Sequence, residues 1–202
     1  MQLQPGDFSE VVAAALLTYA SDPPYYDYWL GDRQYALATL QALWLQPNGS
    51  YSAGASLVLR DRYGLAAVVS TYPASAETQL AVESDCALRN VCADVNDQLL
   101  RREAELAYLF PRLPDAGWYL RSLAVASERR GQGLGESILA LVEQQAREHG
   151  CSQMLVDVDS GNPGAVRFYA RHGFVVQVET KVTRLLSHRL PASLRMVKTL
   201  AD

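Results

Sequence analysis

The sequence predicts a mixed α/β fold: one sheet with helices on its faces. Two observations predict it. Short β-branched runs alternate with helix-period stretches along the second half of the chain, which reads β-α-β-α-β-β. The 202 residues are 49% hydrophobic and 20% charged, a globular composition on a chain long enough to bury a full core. No repeat or low-complexity segment interrupts it, so residues 1–202 are expected to form a single domain.

In chain order, Asp7 or Ser9 caps a first helix that runs through Glu10–Ala20 to the breaker Asp22-Pro23-Pro24. A dense aromatic cluster follows in Tyr25–Leu30. Arg33–Gln46 reads as a second helix with Tyr35, Leu37, Leu40, Leu43 and Trp44 available to its apolar face, ended by Pro47-Asn48-Gly49. Ala55–Arg60 and Leu65–Tyr72 are β-rich runs joined by Asp61-Arg62-Tyr63-Gly64, a hairpin. Ala76 to Phe110 contains no Pro or Gly and reads as two helices broken near Asn90–Asn96. Trp118–Val125 is a strand. In the helix Leu134–His149, positions 134, 138, 141, 142 and 146 keep helical spacing, and Gly150 closes it. Met154–Val158 is a short buried strand, Pro163–Arg171 a short helix, Phe174–Val182 a strand, and Leu194–Thr199 a last edge strand.

The formal net charge of -4 argues against a general affinity for nucleic acid or an anionic membrane, because phosphate binding needs a basic face. Cys86, Cys92 and Cys151 form no CxxC pair and share no ligand spacing with histidine, so they read as free buried thiols in a reducing compartment, and no metal is expected. Val11–Leu17 is far shorter than the roughly 20 residues a membrane span needs, and no basic region precedes it. The expected location is cytoplasmic.

Chemistry concentrates in Arg129-Arg130-Gly131-Gln132-Gly133-Leu134-Gly135, between a strand and a strong helix. Alternating glycines let the backbone approach a ligand, and the helix start leaves N–H groups free. Those donors and the positive end of the helix dipole form a receptor for phosphate or pyrophosphate, to which Arg129 and Arg130 add charge. Taken alone, the loop reads equally well as a flexible turn with two solvated arginines. It is not a P-loop, because no Lys-Ser/Thr follows the glycines. A dinucleotide fingerprint needs GxGxxG, whereas Glu136 fills the last slot here. Asp157 and Asp159 lie 22 and 24 residues past Gly135, near the spacing of a ribose-binding acid, but 67 residues after Gly135 are too few for a doubly wound domain.

A second constellation runs from Asp159 to Phe174. Asn162 caps a helix that Pro163 opens and Gly173 ends. Phe168 suits the core; Tyr169 is harder to assign there, since a buried phenol must find a partner. Together the two segments resemble the GCN5-related N-acetyltransferase (GNAT) superfamily, over about Trp118 to Phe174. The matching residues are Leu123-Ala124-Val125 at a strand end, Arg130, Gly133 and Gly135 in the loop, and Asn162, Ala165, Phe168, Tyr169, Gly173 and Phe174 downstream.

The resemblance implies a largely antiparallel sheet of six or seven strands, splayed between the fourth and fifth and flanked by helices. Acetyl-CoA would bind in the opening between Leu123–Val125 and Met154–Val158, within an acetyl-CoA half at 118–182, opposite an acceptor-side half at 1–115. Pantetheine would pair with Leu123, Ala124 and Val125, and pyrophosphate would rest on Arg129, Arg130, Gly131, Gln132, Gly133, Leu134 and Gly135. Asn162, Phe168 and Tyr169 would lie beside the thioester.

The implied chemistry is attack of a neutral amine on the thioester, with Tyr169 as acid for the departing thiolate and the Val125 N–H as oxyanion donor. Relatives place a glutamate on the strand that here reads Tyr119-Leu120-Arg121-Ser122-Leu123, which lacks one. Ser122 through a water, or Glu105 from the preceding helix, are candidate bases. Tyr25, Tyr26, Asp27, Tyr28 and Trp29 suit a cationic amine acceptor and suit an aromatic core anchor equally. The alternative function is a catalytically silent acyl-CoA sensor on the same fold. Whether the protein forms a homodimer is left open.

Overall fold

The computed structural model describes residues 2–92 and 97–200. Along the chain run β1 (Gln4–Pro5), α1 (Val11–Ser21), α2 (Pro23–Leu30), α3 (Arg33–Trp44), β2 (Leu57–Asp61), β3 (Gly64–Pro73), α4 (Glu77–Val91) and α5 (Asp97–Ala107). Then come β4 (Gly117–Val125), α6 (Leu134–Glu148), β5 (Gln153–Asp159), α7 (Pro163–Arg171), β6 (Val175–Thr180), α8 (Thr183–Leu186) and β7 (Ser193–Thr199). The strands form one sheet in the order β1-β2-β3-β4-β5-β7-β6. Among the described residues, no helix is long and apolar enough to cross a membrane.

Side-chain caps start the first three helices, the first of them at Asp7, one of the two expected positions. The Ser9 N–H donates to Asp7 ahead of α1, Asp22 accepts from the Tyr25 N–H at α2, and Asp32 accepts from Gln34 and Tyr35 at α3. The aromatic cluster is therefore itself a helix, α2, opened by Pro23 and Pro24 in its first turn. One core lies between the sheet and α6–α7, around Leu120, Ile138, Val142, Met154 and Phe174. A second joins α2, α3, α4, α5 and α8 through Trp29, Leu40, Leu88, Leu106 and Leu185.

Several expectations are corrected. β7 is not an edge strand; it pairs with both β5 and β6, and β6 forms the edge. Hairpin logic would put the last strand outermost, but β7 crosses back to fill the gap beside β5. Tyr35 is 68% exposed and does not join the apolar face of α3, which buries Ala36 instead, the next position round the helix. In α6, Leu139 joins the buried stripe and Leu141 is only partly covered. Cys86 is an exposed thiol and Cys92 and Cys151 are half-buried, so none of the three is fully buried as expected. The expected break between α4 and α5 includes residues 93–96, outside the described residues.

The parallel β4–β5 ladder runs only from Gly117↔Gln153 to Leu120↔Val156. Beyond it, β4 continues along β3 to Val125, while β5 continues along β7 to Asp159. The two strands part there, which is the expected splay. On β4 the register with β3 shifts, pairing Ser70 with Ser122 and Thr71 with Leu120. Arg121 is thus the extra residue of a β-bulge at the apex of the opening.

A buried ion pair ties β5 to β7. Arg195 Nε and one terminal nitrogen donate to Asp157 at 2.6 and 2.7 Å, and the Tyr119 hydroxyl donates to the same carboxylate at 2.8 Å. Both side chains are at most 3% exposed. Removing one partner strands the other's charge, so Arg195→Met is expected to cost about 3–5 kcal/mol by chemical denaturation. Pairing it with Asp157→Leu should recover most of that loss.

Candidate active site

The opening between β4 and β5 leads into a cleft of about 770 Å³. Leu123, Ala124 and Val125 line one wall, the glycine loop and the start of α6 line its mouth, and α7 lines the other wall with Asn162, Phe168 and Tyr169. Ala20 and Ser21, at the end of α1, complete it. The Ala126 N–H donates to Ala66 on β3, at 2.9 Å. By strand alternation, the Leu123 and Val125 N–H groups point away from β3, into the opening.

The loop glycines differ in role. Gly131 and Gly133 have φ of 74° and 76°, the left-handed region, and a Cβ on Gly133 would meet nothing within 4 Å. The first helix-closing bond of α6 runs from the Ser137 N–H to the Gly133 carbonyl, so the N–H groups of Leu134, Gly135 and Glu136 have no partner within the helix. Gly135 instead allows close packing: a Cβ there would sit 3.3 Å from the Phe168 ring.

The loop's long side chains divide. Arg130 stays at the cleft and donates to the Val125 carbonyl at 3.2 Å. Arg129 also lines the cleft, but its guanidinium pairs with Asp61 on the β2–β3 hairpin at 2.5 Å and lies over the Tyr63 ring. Gln132 donates to the Glu128 carbonyl and faces that hairpin rather than the cleft.

On α7, the Asn162 carboxamide accepts from the Ala165 N–H at 3.0 Å, capping the helix. Tyr169 is 6% exposed and packs edge-on against Phe168 and Phe174. Its hydroxyl has no hydrogen-bond partner among the described residues, and burial pushes its phenol well above the usual tyrosine range. Phe168 serves both the cleft wall and the core.

The expected acceptor residues separate as well. Tyr26 and Trp29 are buried and Tyr25 is half-buried, all packed together with Tyr51. Asp27, Tyr28 and Glu105 line a second cavity, of about 890 Å³, between α2, α5 and the α8 segment. There the Tyr28 hydroxyl donates to Glu105, Arg184 pairs with Glu105 at 2.9 Å, and Asp27 accepts from the Tyr19 hydroxyl. Ser122 sits beside Arg121 at the bulge, paired with Ser70.

Two residues that sequence reasoning passed over are chain neighbours or near neighbours of the cleft-lining residues Ser21 and Leu123. Asp22 follows directly on Ser21; one carboxylate oxygen accepts from the Tyr25 N–H, and the other has no partner among the described residues. Burial, with Asp159 nearby at the end of β5, raises its carboxyl to about 6. The sequence showed Asp22 only as a helix breaker. The other is Arg121, a cation at a strand position scanned only for a carboxylate. Among the described residues, no group of three or more His, Cys, Asp or Glu side chains could hold a metal ion.

The sequence profile of the acetyltransferase (GNAT) family matches residues 22–174. The chain belongs to that family. An acetyltransferase of Agrobacterium fabrum is 44% identical over 59 residues, which are 29% of this chain and 42% of that protein. The match thus spans less than half of the relative's length. Among solved structures, an N-acetyltransferase of Staphylococcus aureus superposes with a TM-score of 0.70 at 13% identity, over 98% of this chain and 100% of that one. The histone acetyltransferase HPA2 and related acetyltransferase of Corynebacterium glutamicum does so with 0.61 at 20% identity, over 100% of this chain and 97% of that one. At such identities these two show that the GNAT fold is shared.

Proposed function

We propose that the chain transfers an acetyl group from acetyl-CoA to a primary amine of a small molecule or peptide, by direct attack within a ternary complex. The observation that carries this reading is the opening between β4 and β5, with phosphate-type donors at its mouth and a neutral phenol inside. Pyrophosphate would rest on the left-handed glycine turn and the free N–H groups of α6. Pantetheine would run along Leu123–Val125, whose free strand edge offers hydrogen bonds.

In the reaction, the amine nitrogen attacks the thioester carbonyl and the C–S bond breaks. The Val125 N–H would stabilise the oxyanion, and the Tyr169 phenol would give its proton to the leaving thiolate. For the amine proton we propose Asp22 in place of Ser122 or Glu105. Glu105 is held by Arg184 and Tyr28 in the other cavity, whereas Asp22 keeps a free carboxylate oxygen one residue beyond the cleft wall. The groups facing Asp22 are Asp159 and the Tyr25 phenol.

The test is thiol release from acetyl-CoA across a broad amine panel. Acetyl-CoA binding without turnover of any amine would make the protein a silent sensor, the reading favoured by the absence of a carboxylate on β4. With an acceptor that is neutral throughout the range, kcat/KM should rise with pH through about 6 as Asp22 loses its proton. Asp22→Asn should lower kcat by roughly 10²–10⁴-fold. Its stability effect has the opposite sense. A carboxyl raised above its unfolded value binds more protons when folded, so stability falls as pH rises through about 6. Asn keeps the helix cap without that charge, so the variant should melt above wild type at pH 7.5 and lose its advantage near pH 4.

A further inference from the structure

Two arginines of the sheet are held in opposite ways, Arg195 fully buried and Arg121 half-buried. Arg195 has its carboxylate, Asp157, across the β5–β7 ladder. Arg121 forms no ion pair among the described residues. It donates to the Ser50 and Tyr51 hydroxyls, and its guanidinium lies 4.1 Å from the centre of the Tyr51 ring. Tyr25, Tyr26 and Tyr72 surround it, and burial pushes each of these phenols up, so at neutral pH none supplies a negative charge. Glu103 pulls on it from α5 without reaching ion-pair distance. A half-buried cation without a counter-charge is free to take an anionic partner, and it stands here at the apex of the splayed strands.

We infer that the acceptor is an amine that also carries a carboxylate, which Arg121 binds on the acceptor side of β4. This rests on the acetyl-transfer reading and assigns its substrate class. Leu123 and Val125 pack towards α6, while Arg121 reaches Ser50 and Tyr51 beneath α2. Asp22 accepts from the Tyr25 N–H, the Tyr25 ring packs edge-on against Tyr26, and Tyr26 meets the Tyr51 ring under Arg121, so one aromatic cluster joins the cation to the base. An α-amino acid, with two hydrogen bonds of about 3 Å at its ends, spans a gap on the order of 8–9 Å. Its amine would meet Asp22 while its carboxylate meets the guanidinium. A free amino acid and the acidic N-terminal residue of a peptide both bring this pair of groups.

The experiment compares α-amino acids with their decarboxylated amines and carboxamides, and with peptides starting in Asp or Glu, by thiol release at saturating acetyl-CoA. Wild type should prefer a carboxylate-bearing amine by roughly 100-fold in kcat/KM over its decarboxylated counterpart. Whichever of the two carboxylate arms is turned over identifies the source. Arg121→Gln should erase that preference, chiefly through KM, leaving the decarboxylated amine within about threefold of wild type and the thermal protection by acetyl-CoA intact. Arg121→Lys should restore part of it. Equal turnover of both amine classes by wild type overturns the inference, and so does an equal loss on both in Arg121→Gln. Should the Gln variant not fold, the wild-type ratio decides alone. Thermal protection by acetyl-CoA with turnover of neutral amines only defeats this inference and leaves acetyl transfer standing. Absence of any protection defeats both.

Discussion

Gly133→Val is expected to abolish acetyl-CoA binding while leaving the apo protein folded. Gly133 sits at φ 76°, where a β-branched residue is strained, so the turn would relax away from its ligand-receiving shape. The new side chain would also occupy the open space above the α6 N-terminus, where a Cβ has no protein neighbour within 4 Å. Because that space is empty of protein, the substitution creates no clash in the core. Thermal shift with and without acetyl-CoA measures both halves of the expectation: a near-normal apo melting temperature, and no ligand-induced increase. Undiminished protection would remove the glycine turn from the cofactor site. Gly135→Ala is a useful contrast, since its methyl would press on Phe168 and shift α7 instead of blocking the mouth.

Tyr169→Phe should lower kcat by roughly 10²–10⁴-fold, about 3–5 kcal/mol in barrier height, with little change in stability. The ring packing against Phe168 and Phe174 survives, and the hydroxyl has no hydrogen bond to lose among the described residues. Acetyl-CoA affinity, measured by calorimetry, should move far less than the rate, because the proton matters as charge builds on sulfur. Burial holds the phenol protonated, so its proton is in place to be shared with the sulfur as negative charge builds there. Near-normal kcat in the variant would take Tyr169 out of the acid role. A fall in affinity matching the fall in rate would make it a binding residue.

The glycine turn, α6 and α7 were legible before any coordinates because their signals are local. The α7 bounds Pro163–Arg171 agree with the reading from sequence, and its Asn162 cap closes through a bond three residues long. Gly131 and Gly133 adopt the backbone that only glycine takes freely. What failed to show were the partners of long polar side chains. Arg129 pairs with a residue 68 positions away, Arg121 with one 70 away, and Tyr28 with one 77 away. Glu105 looked free to serve as a base until Arg184 and Tyr28 were seen to hold it.

By itself, then, the sequence determined α6 and α7, the glycine turn between β4 and α6, and the phenol on the capped helix. Each depends on propensity, periodicity or a hydrogen bond within a few residues. Only the tertiary structure decided that β7 lies inside the sheet, that Arg121 occupies a bulge among neutral phenols, and that Asp22 stands near Asp159. Strand order and the burial of a charge depend on which distant segments pack together, and no short window of residues encodes that.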